Sequence, residues 1–285
     1  MIGVIVAAPG AAAAWGTDGH QTITRRALAA LPPPLRDFLT ADRDFVVLHS
    51  IDPDLWRAMD LSGRLGPEAP NHYFDIDGLN EPRPFSRVPR ERRAFLARYG
   101  TDRAERVGRL PWQAADVYAS LVAAFRNAGR RTSGTVPTNA RYFAAILAHY
   151  VEDAHVPFHA VVNHDGQLSG QRGLHARFES DLVRRYGSVL TLKPVQIQPV
   201  TDVIDFTFET IVASEALAAP VLDADRKSSG GRTDYDTAYF DRFFQATRSV
   251  LEARLSQAAS SVTSVIVAAW RDAGEPMFGG ARGRD

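Results

Sequence analysis

Residues 149–179 read HYVEDAHVPFHAVVNHDGQLSGQRGLHARFE. His149 and Asp153 are four residues apart, and so are His175 and Glu179. On a helix that spacing puts both side chains of a pair on one face, about one turn apart, close enough to share an ion. Pro157 ends the first helix and His159 follows in the turn. One such pair is common as a buried histidine bonded to a carboxylate. Two pairs with a third histidine between them point to metal ligation. Histidine nitrogen and carboxylate oxygen are donors that zinc accepts.

The rest of the composition narrows the chemistry. The chain has 285 residues, enough to bury a substantial core, and no cysteine, so neither disulfides nor thiolate ligands are available. Net charge is zero, which gives no field directed at duplex nucleic acid or an anionic membrane. Residues 1–14, MIGVIVAAPGAAAA, are apolar and end in small side chains, like the end of a secretory signal, so a mature chain is expected to start at Trp15. No other apolar run approaches the about 20 residues a membrane span requires. Secretion or export to a periplasm is expected.

Working outward, helical spacing recurs. Ile23, Ala27, Leu28 and Leu31 share one side until Pro32–Pro34 stop the pattern, and a short helix is expected over 35–39. Asp52 stands immediately before Pro53, where a turn or helix start is expected. His72 lies in an aromatic-rich, loop-like stretch, and nine arginines between Arg83 and Arg109 suggest a solvated, partly helical flap. A helix is expected from Pro111 to about Asn127, closed by Gly129, and another from Pro137 carrying His149 and Asp153 on its flank. A third runs from Leu174 to Gly187. Pro194 and Pro199 make 189–200 an extended connector rather than a central strand. Helices follow over 202–219 and 236–273. The expected fold is all-α, a single large helical domain over 15–285 with the metal cluster in a cleft between helices.

Taken in order, Trp15-Gly-x-x-Gly-His20, an Asp before Pro, His72-Tyr-x-Asp, His149-x3-Asp153-x5-His159 and His175-x3-Glu179 form a recognisable series. It resembles the superfamily that joins bacterial zinc-dependent phospholipases C with fungal and plant single-strand-specific nucleases, over nearly the whole chain from Trp15. The resemblance implies three zinc ions and cleavage of a phosphodiester. Asp52, His72, His149 and Asp153 would hold the first ion. The terminal amine and carbonyl of Trp15, with His20 and the bridging Asp153, would hold the second. The third would take His159, His175 and Glu179. Asp52 would also orient the attacking water as the catalytic residue. His49, His155 and His164 are left over as surface or supporting residues.

The resemblance also bears on the substrate, a phospholipid or single-stranded nucleic acid. The nucleases carry an Asp as last ligand of the third site and an Arg three residues after the first-zinc Asp; here those positions hold Glu179 and Leu55. The sixteen-residue step from His159 to His175 is closer to the short phospholipase spacing. Those points favour a phospholipase C-like enzyme. The compact Trp15–His20 start is nuclease-like, and Pro53 replaces the aromatic expected after the first-zinc Asp in choline-preferring phospholipases. Tyr73 could stack on a base in a nuclease, but an aromatic there suits both branches. A zinc-binding protein without turnover is the non-enzymatic alternative.

Overall fold

The computed structural model describes residues 15–42, 44–59, 68–130 and 136–278; the signal-like segment 1–14 lies outside them. Among the described residues twelve α-helices are formed. In chain order, the first six are α1 (Gly16–Ala29), α2 (Pro33–Leu39), α3 (Phe45–His49), α4 (Asp52–Ala58), α5 (Arg92–Tyr99) and α6 (Thr101–Val107). After them come α7 (Leu110–Arg130), α8 (Val136–Asp153), α9 (Leu174–Ala176), α10 (Leu182–Tyr186), α11 (Val203–Ser229) and α12 (Thr237–Asp272). A π-helical turn, Arg177–Asp181, joins α9 to α10. Among the described residues there is no strand, only an isolated bridge between Phe74 and Gly108. The all-α expectation is met, and none of the helices is long and apolar enough to cross a membrane.

The long helices form the frame. At 36 residues α12 spans about 54 Å, and α1, α7, α8 and α11 all pack against it. Alternating polar and apolar faces explain the arrangement. In α8, Ala144, Leu147, Tyr150 and Val151 are buried, and so are His149 and Asp153. The expected flank of α8 is therefore part of the interior. Phe74, Phe95, Trp112 and Phe208 meet with ring centroids 4.8–5.6 Å apart and tie the arginine-rich segment to α7 and α11.

Two boundaries differ from the sequence reading. Helix α7 runs through Gly129 to Arg130. Helix α11 continues past Ala219 and through Pro220 to Ser229. Proline removes a hydrogen bond to the carbonyl four residues back. Here that carbonyl belongs to Ala216, and both residues are exposed, so water can take the bond's place.

The connector over 189–200 is extended as expected, and its hydrogen bonds go to a helix rather than to a sheet. The N–H groups of Thr191, Lys193, Gln196 and Gln198 donate to side-chain oxygens of Glu252, Ser256, Ser260 and Ser264, at 2.7–3.1 Å. Four helical residues rise about 6 Å and two extended residues about 6.6 Å, so the rows match over the two-residue steps 191–193 and 196–198, and the step from Lys193 to Gln196 takes one residue more.

A buried ion-pair network fixes the π-helical turn. Arg177 donates to Tyr239 Oη (3.0 Å), Asp225 Oδ1 (3.1 Å) and the carbonyls of Gln171 and Arg172. Arg177, Asp225 and Tyr239 are all buried. Replacing Arg177 by Met leaves Asp225 without its cation. A loss of about 3–5 kcal/mol is expected, measured as a lower urea midpoint with an unchanged slope.

Candidate metal centre

Six segments deliver the site. His20 comes from α1, Asp54 from α4, His72 from the stretch before the Phe74–Gly108 bridge, His149 and Asp153 from α8, and His175 and Glu179 from α9 and the π-helical turn. His159 sits on a short 3-10 turn begun by Pro157. The stretch 72–76 is clamped on both sides. Phe74 N donates to His159 O (2.8 Å) and Ile76 N to Ala160 O (3.2 Å), while Asp75 N donates to Val107 O (2.7 Å). Gly108 is required there: its φ is +90° and a Cβ would lie 2.1 Å from Tyr73 O.

Helix α8 is held at its C-terminus. Ser214 Oγ donates to Ala154 O (2.5 Å) and Arg254 Nε to His155 O (2.9 Å). A buried cation at a helix C-terminus also suits the dipole. Burial lowers the Arg254 pKa to about 10, so it stays charged at neutral pH.

Three groups of donor atoms converge, each within 4.8 Å: His20, His149 and Asp153; Asp54, His72 and His149; His159, His175 and Glu179. Asp153 is the hub. Its Oδ2 lies 2.9 Å from His72 Nδ1 and 3.2 Å from His149 Nε2. Its Oδ1 lies 3.7 Å from His20 Nε2 and 3.6 Å from His159 Nδ1. Burial pushes the Asp153 carboxyl up, but His149 and His159 hold it well below the usual range.

The ring nitrogens decide what the site is built for. His159 Nδ1 lies 2.6 Å from His72 O, and a carbonyl only accepts, so the proton is on Nδ1. Burial keeps His159 neutral, its pKa well below normal. Its Nε2 is therefore a bare lone pair, 3.1 Å from His175 Nε2. Likewise His149 Nδ1 donates to Ser50 O (2.8 Å), and Nε2 turns to His72 Nδ1 at 3.0 Å. His20 Nε2 and Asp153 Oδ1 are buried and have no hydrogen-bond partner, while Glu179 Oε1 faces His175 Nε2 at 2.8 Å. Lone pairs and carboxylate oxygens facing one another repel unless a cation lies between them. The donor set, imidazole and carboxylate without thiolate, fits zinc.

Asp52, the expected first-zinc ligand, stands elsewhere. Its Oδ2 lies 2.8 Å from His49 Nδ1 and 3.2 Å from Tyr142 Oη. Asp54 takes the place in the cluster, with Oδ1 3.7 Å from His72 Nδ1 and 3.0 Å from Arg57. Two residues apart on a helix is about 200° of rotation, so one of the two must face away from α8. The clue was His49: three residues before Asp52, it is that residue's local partner. Trp15 is buried, and its backbone nitrogen donates to Glu179 Oε2 at 3.0 Å. Sequence reasoning also missed Glu68, which accepts from Tyr150 Oη (2.5 Å) and Asn71 (2.8 Å) and lies 3.5 Å from His72 Nε2. Against the effect of burial, the carboxylates of Asp153 and Glu68 raise the His72 pKa to about 9. Glu152, which contacts His20, was missed as well. A cavity of about 830 Å³ opens from His72, His159 and His175 past Arg57 and Tyr73.

The zinc dependent phospholipase C family profile matches residues 19–216. The chain belongs to this family. Among solved structures, the Clostridium perfringens alpha-toxin isolated from avian strain SWCP is a distant likeness, with TM-score 0.47 and 16% identity over 97% of this chain and 68% of that one. No curated protein matches the chain in sequence. The family is zinc-dependent, in keeping with donor groups that fit zinc.

His155, left over by the sequence reading, is buried between Ser261 (2.9 Å) and the Arg254 region. Burial first, and Arg254 second, push its pKa well below normal. The folded protein keeps it neutral while the unfolded chain takes up a proton below about pH 6.5. Its stabilisation is thus present above that pH and lost below it. Relative to His155→Gln, the wild type is expected to lose about 1.4 kcal/mol per pH unit below pH 6.5, read from urea unfolding across pH 4.5–7.5.

Proposed function

We propose that the protein is a trinuclear zinc phosphodiesterase of phospholipase C type, exported from the cell and active as residues 15–285. The observation that carries it is the set of bare, mutually facing nitrogens and carboxylate oxygens around Asp153 in a chain of the zinc-dependent phospholipase C family. One ion would be held by Asp54, His72, His149 and Asp153, in place of the set that included Asp52. A second would be held by His20 and Asp153, with the Trp15 amine once residues 1–14 are removed, and a third by His159, His175 and Glu179.

Bound there, zinc supplies Lewis acidity and brings the pKa of water down toward about 7. Asp54, three residues before Arg57 and paired with it at 3.0 Å, would orient the attacking water. Arg57 lines the cavity and would place a guanidinium beside the phosphate. The buried rings exclude solvent from the reacting centre, which strengthens every charge interaction inside it.

The exchange of Asp54 for Asp52 alters the reading of the substrate. The residue three beyond the site carboxylate is Arg57 rather than Leu55, a nuclease-like feature. The residue following it is Leu55, still not aromatic, so choline remains disfavoured. Glu179, the His159–His175 spacing and the family match support a phospholipid ester; Arg57 favours single-stranded nucleic acid as the second reading.

Two measurements test this. Asp54→Asn is expected to cost more than the roughly 100-fold typical of supporting residues and to release zinc on elemental analysis. Asp52→Asn is expected to keep its zinc and most of its activity. Equal damage from both would return Asp52 to the site. In a panel of phosphatidylethanolamine, phosphatidylglycerol and phosphatidylcholine micelles and single-stranded DNA, release of diacylglycerol is expected. Release of 5′-nucleotides at much higher kcat/KM, with lipid untouched, would establish the nuclease reading instead.

A further inference from the structure

Glu152 is fully buried on α8, one residue before Asp153, and faces α1. It makes three contacts with the segment 15–24. Its Oε2 lies 2.5 Å from His20 Nδ1, its Oε1 accepts from Thr24 Oγ1 at 2.6 Å, and its backbone carbonyl accepts from Trp15 Nε1 at 2.9 Å. The opposite edge of the His20 ring is turned to the cluster. There Nε2 has no hydrogen-bond partner and lies 3.7 Å from Asp153 Oδ1 and 4.0 Å from Asp54 Oδ2. The ring is stacked on His149 with centroids 4.2 Å apart and an interplanar angle of 20°.

A neutral imidazole carries one proton, and only the nitrogen without it can bind a metal. His20 has one nitrogen on Glu152 and the other in the cluster, so placement of the proton decides whether it can ligate. With the proton on Nε2, the ring would present N–H to the ion and be excluded from the site. A carboxylate at Nδ1 attracts the proton there and fixes the angle of the ring. Thr24 occupies the second oxygen of Glu152 and stops the carboxylate from turning away.

We propose that Glu152 is a positioning residue for zinc, holding His20 with its proton on Nδ1 and Nε2 bare toward Asp153. Rotation about the His20 side chain is then restrained on one face by the stack on His149 and at one edge by the bond to Glu152. The effect is confined to the group formed by His20, His149 and Asp153. The group of His159, His175 and Glu179 contains neither His20 nor a contact to Glu152. The inference rests on the zinc reading above.

The test uses zinc titration of metal-free protein against a chromophoric competing chelator, for wild type, Glu152→Leu and Glu152→Gln. Glu152→Leu is expected to weaken one ion by about 10- to 100-fold and leave the others unchanged. Glu152→Gln keeps a side-chain oxygen for Nδ1–H and is expected to bind zinc as the wild type does. Melting of the metal-free variants reads folding separately. A purely structural residue would lower that melting temperature without moving the zinc affinity, and such a result overturns the proposal. Glutamine binding as poorly as leucine would do the same, since charge rather than proton placement would then be responsible. Should the leucine variant not fold, nitrogen-15 NMR of His20 in metal-free wild type decides: a proton on Nδ1 supports the proposal and one on Nε2 defeats it. Wild type that takes up no zinc defeats the zinc reading itself, whereas zinc-loaded wild type with an equally tight Glu152→Leu defeats this inference alone.

Discussion

The structure is organised around one buried carboxylate. Asp153 stands at the C-terminal end of α8 with its two oxygens turned to four histidine rings from four different segments. Isolated in a low-dielectric interior, a carboxylate of this kind is strongly disfavoured unless positive charge stands beside it. The arrangement is electrostatically complete only with positive charge at its centre. Helices α1, α4 and α8, the clamped stretch 72–76 and the π-helical turn thus share a single requirement, to keep donor atoms about 3–4 Å apart until a cation joins them.

The surroundings set how firmly that requirement is met. His159 is tied to His72 O, His149 to Ser50 O and His20 to Glu152, so each ring has a fixed acceptor on its outer edge. Such partners decide which nitrogen is free to act as a ligand. Farther out, Arg254 and Ser214 bind the last carbonyls beyond α8. Arg177 and Asp225 brace the π-helical turn from behind. The ladder between 191–198 and α12 holds the far side of the bundle with helix side chains where a sheet would use backbone. The polar groups in these supports are paired, whereas His20 Nε2 and Asp153 Oδ1 at the site have no hydrogen-bond partner.

The exchange of Asp52 for Asp54 shows where reading along the chain fails. Both residues flank Pro53, both begin α4, and either satisfies a pattern written as an acid beside a proline. The choice is made by rotation. With α4 packed on α8, the side carrying Asp54 faces His72 and His149, and the other side carries Asp52 to His49 and Tyr142. The consequence reaches the substrate, because a comparison counted from Asp52 lands on Leu55 and one counted from Asp54 lands on Arg57.

By itself, the amino-acid sequence determined the all-helical class, the extended connector imposed by Pro194 and Pro199, and the pairs His149–Asp153 and His175–Glu179. These are local consequences of helical period and of proline's missing N–H, and they hold wherever the segment packs. It also put His20, His72 and His159 among the candidates, although more than a hundred residues separate the first from the last. Only the tertiary structure decided which acid of α4 enters the cluster, where the Trp15 nitrogen lies, and that Glu68 and Glu152 stand behind the histidines. Apart from Glu68, which stands only four residues before His72, those are contacts between residues tens to more than a hundred positions apart. They depend on the rotation and depth of one helix against another, and no spacing within a single helix encodes them.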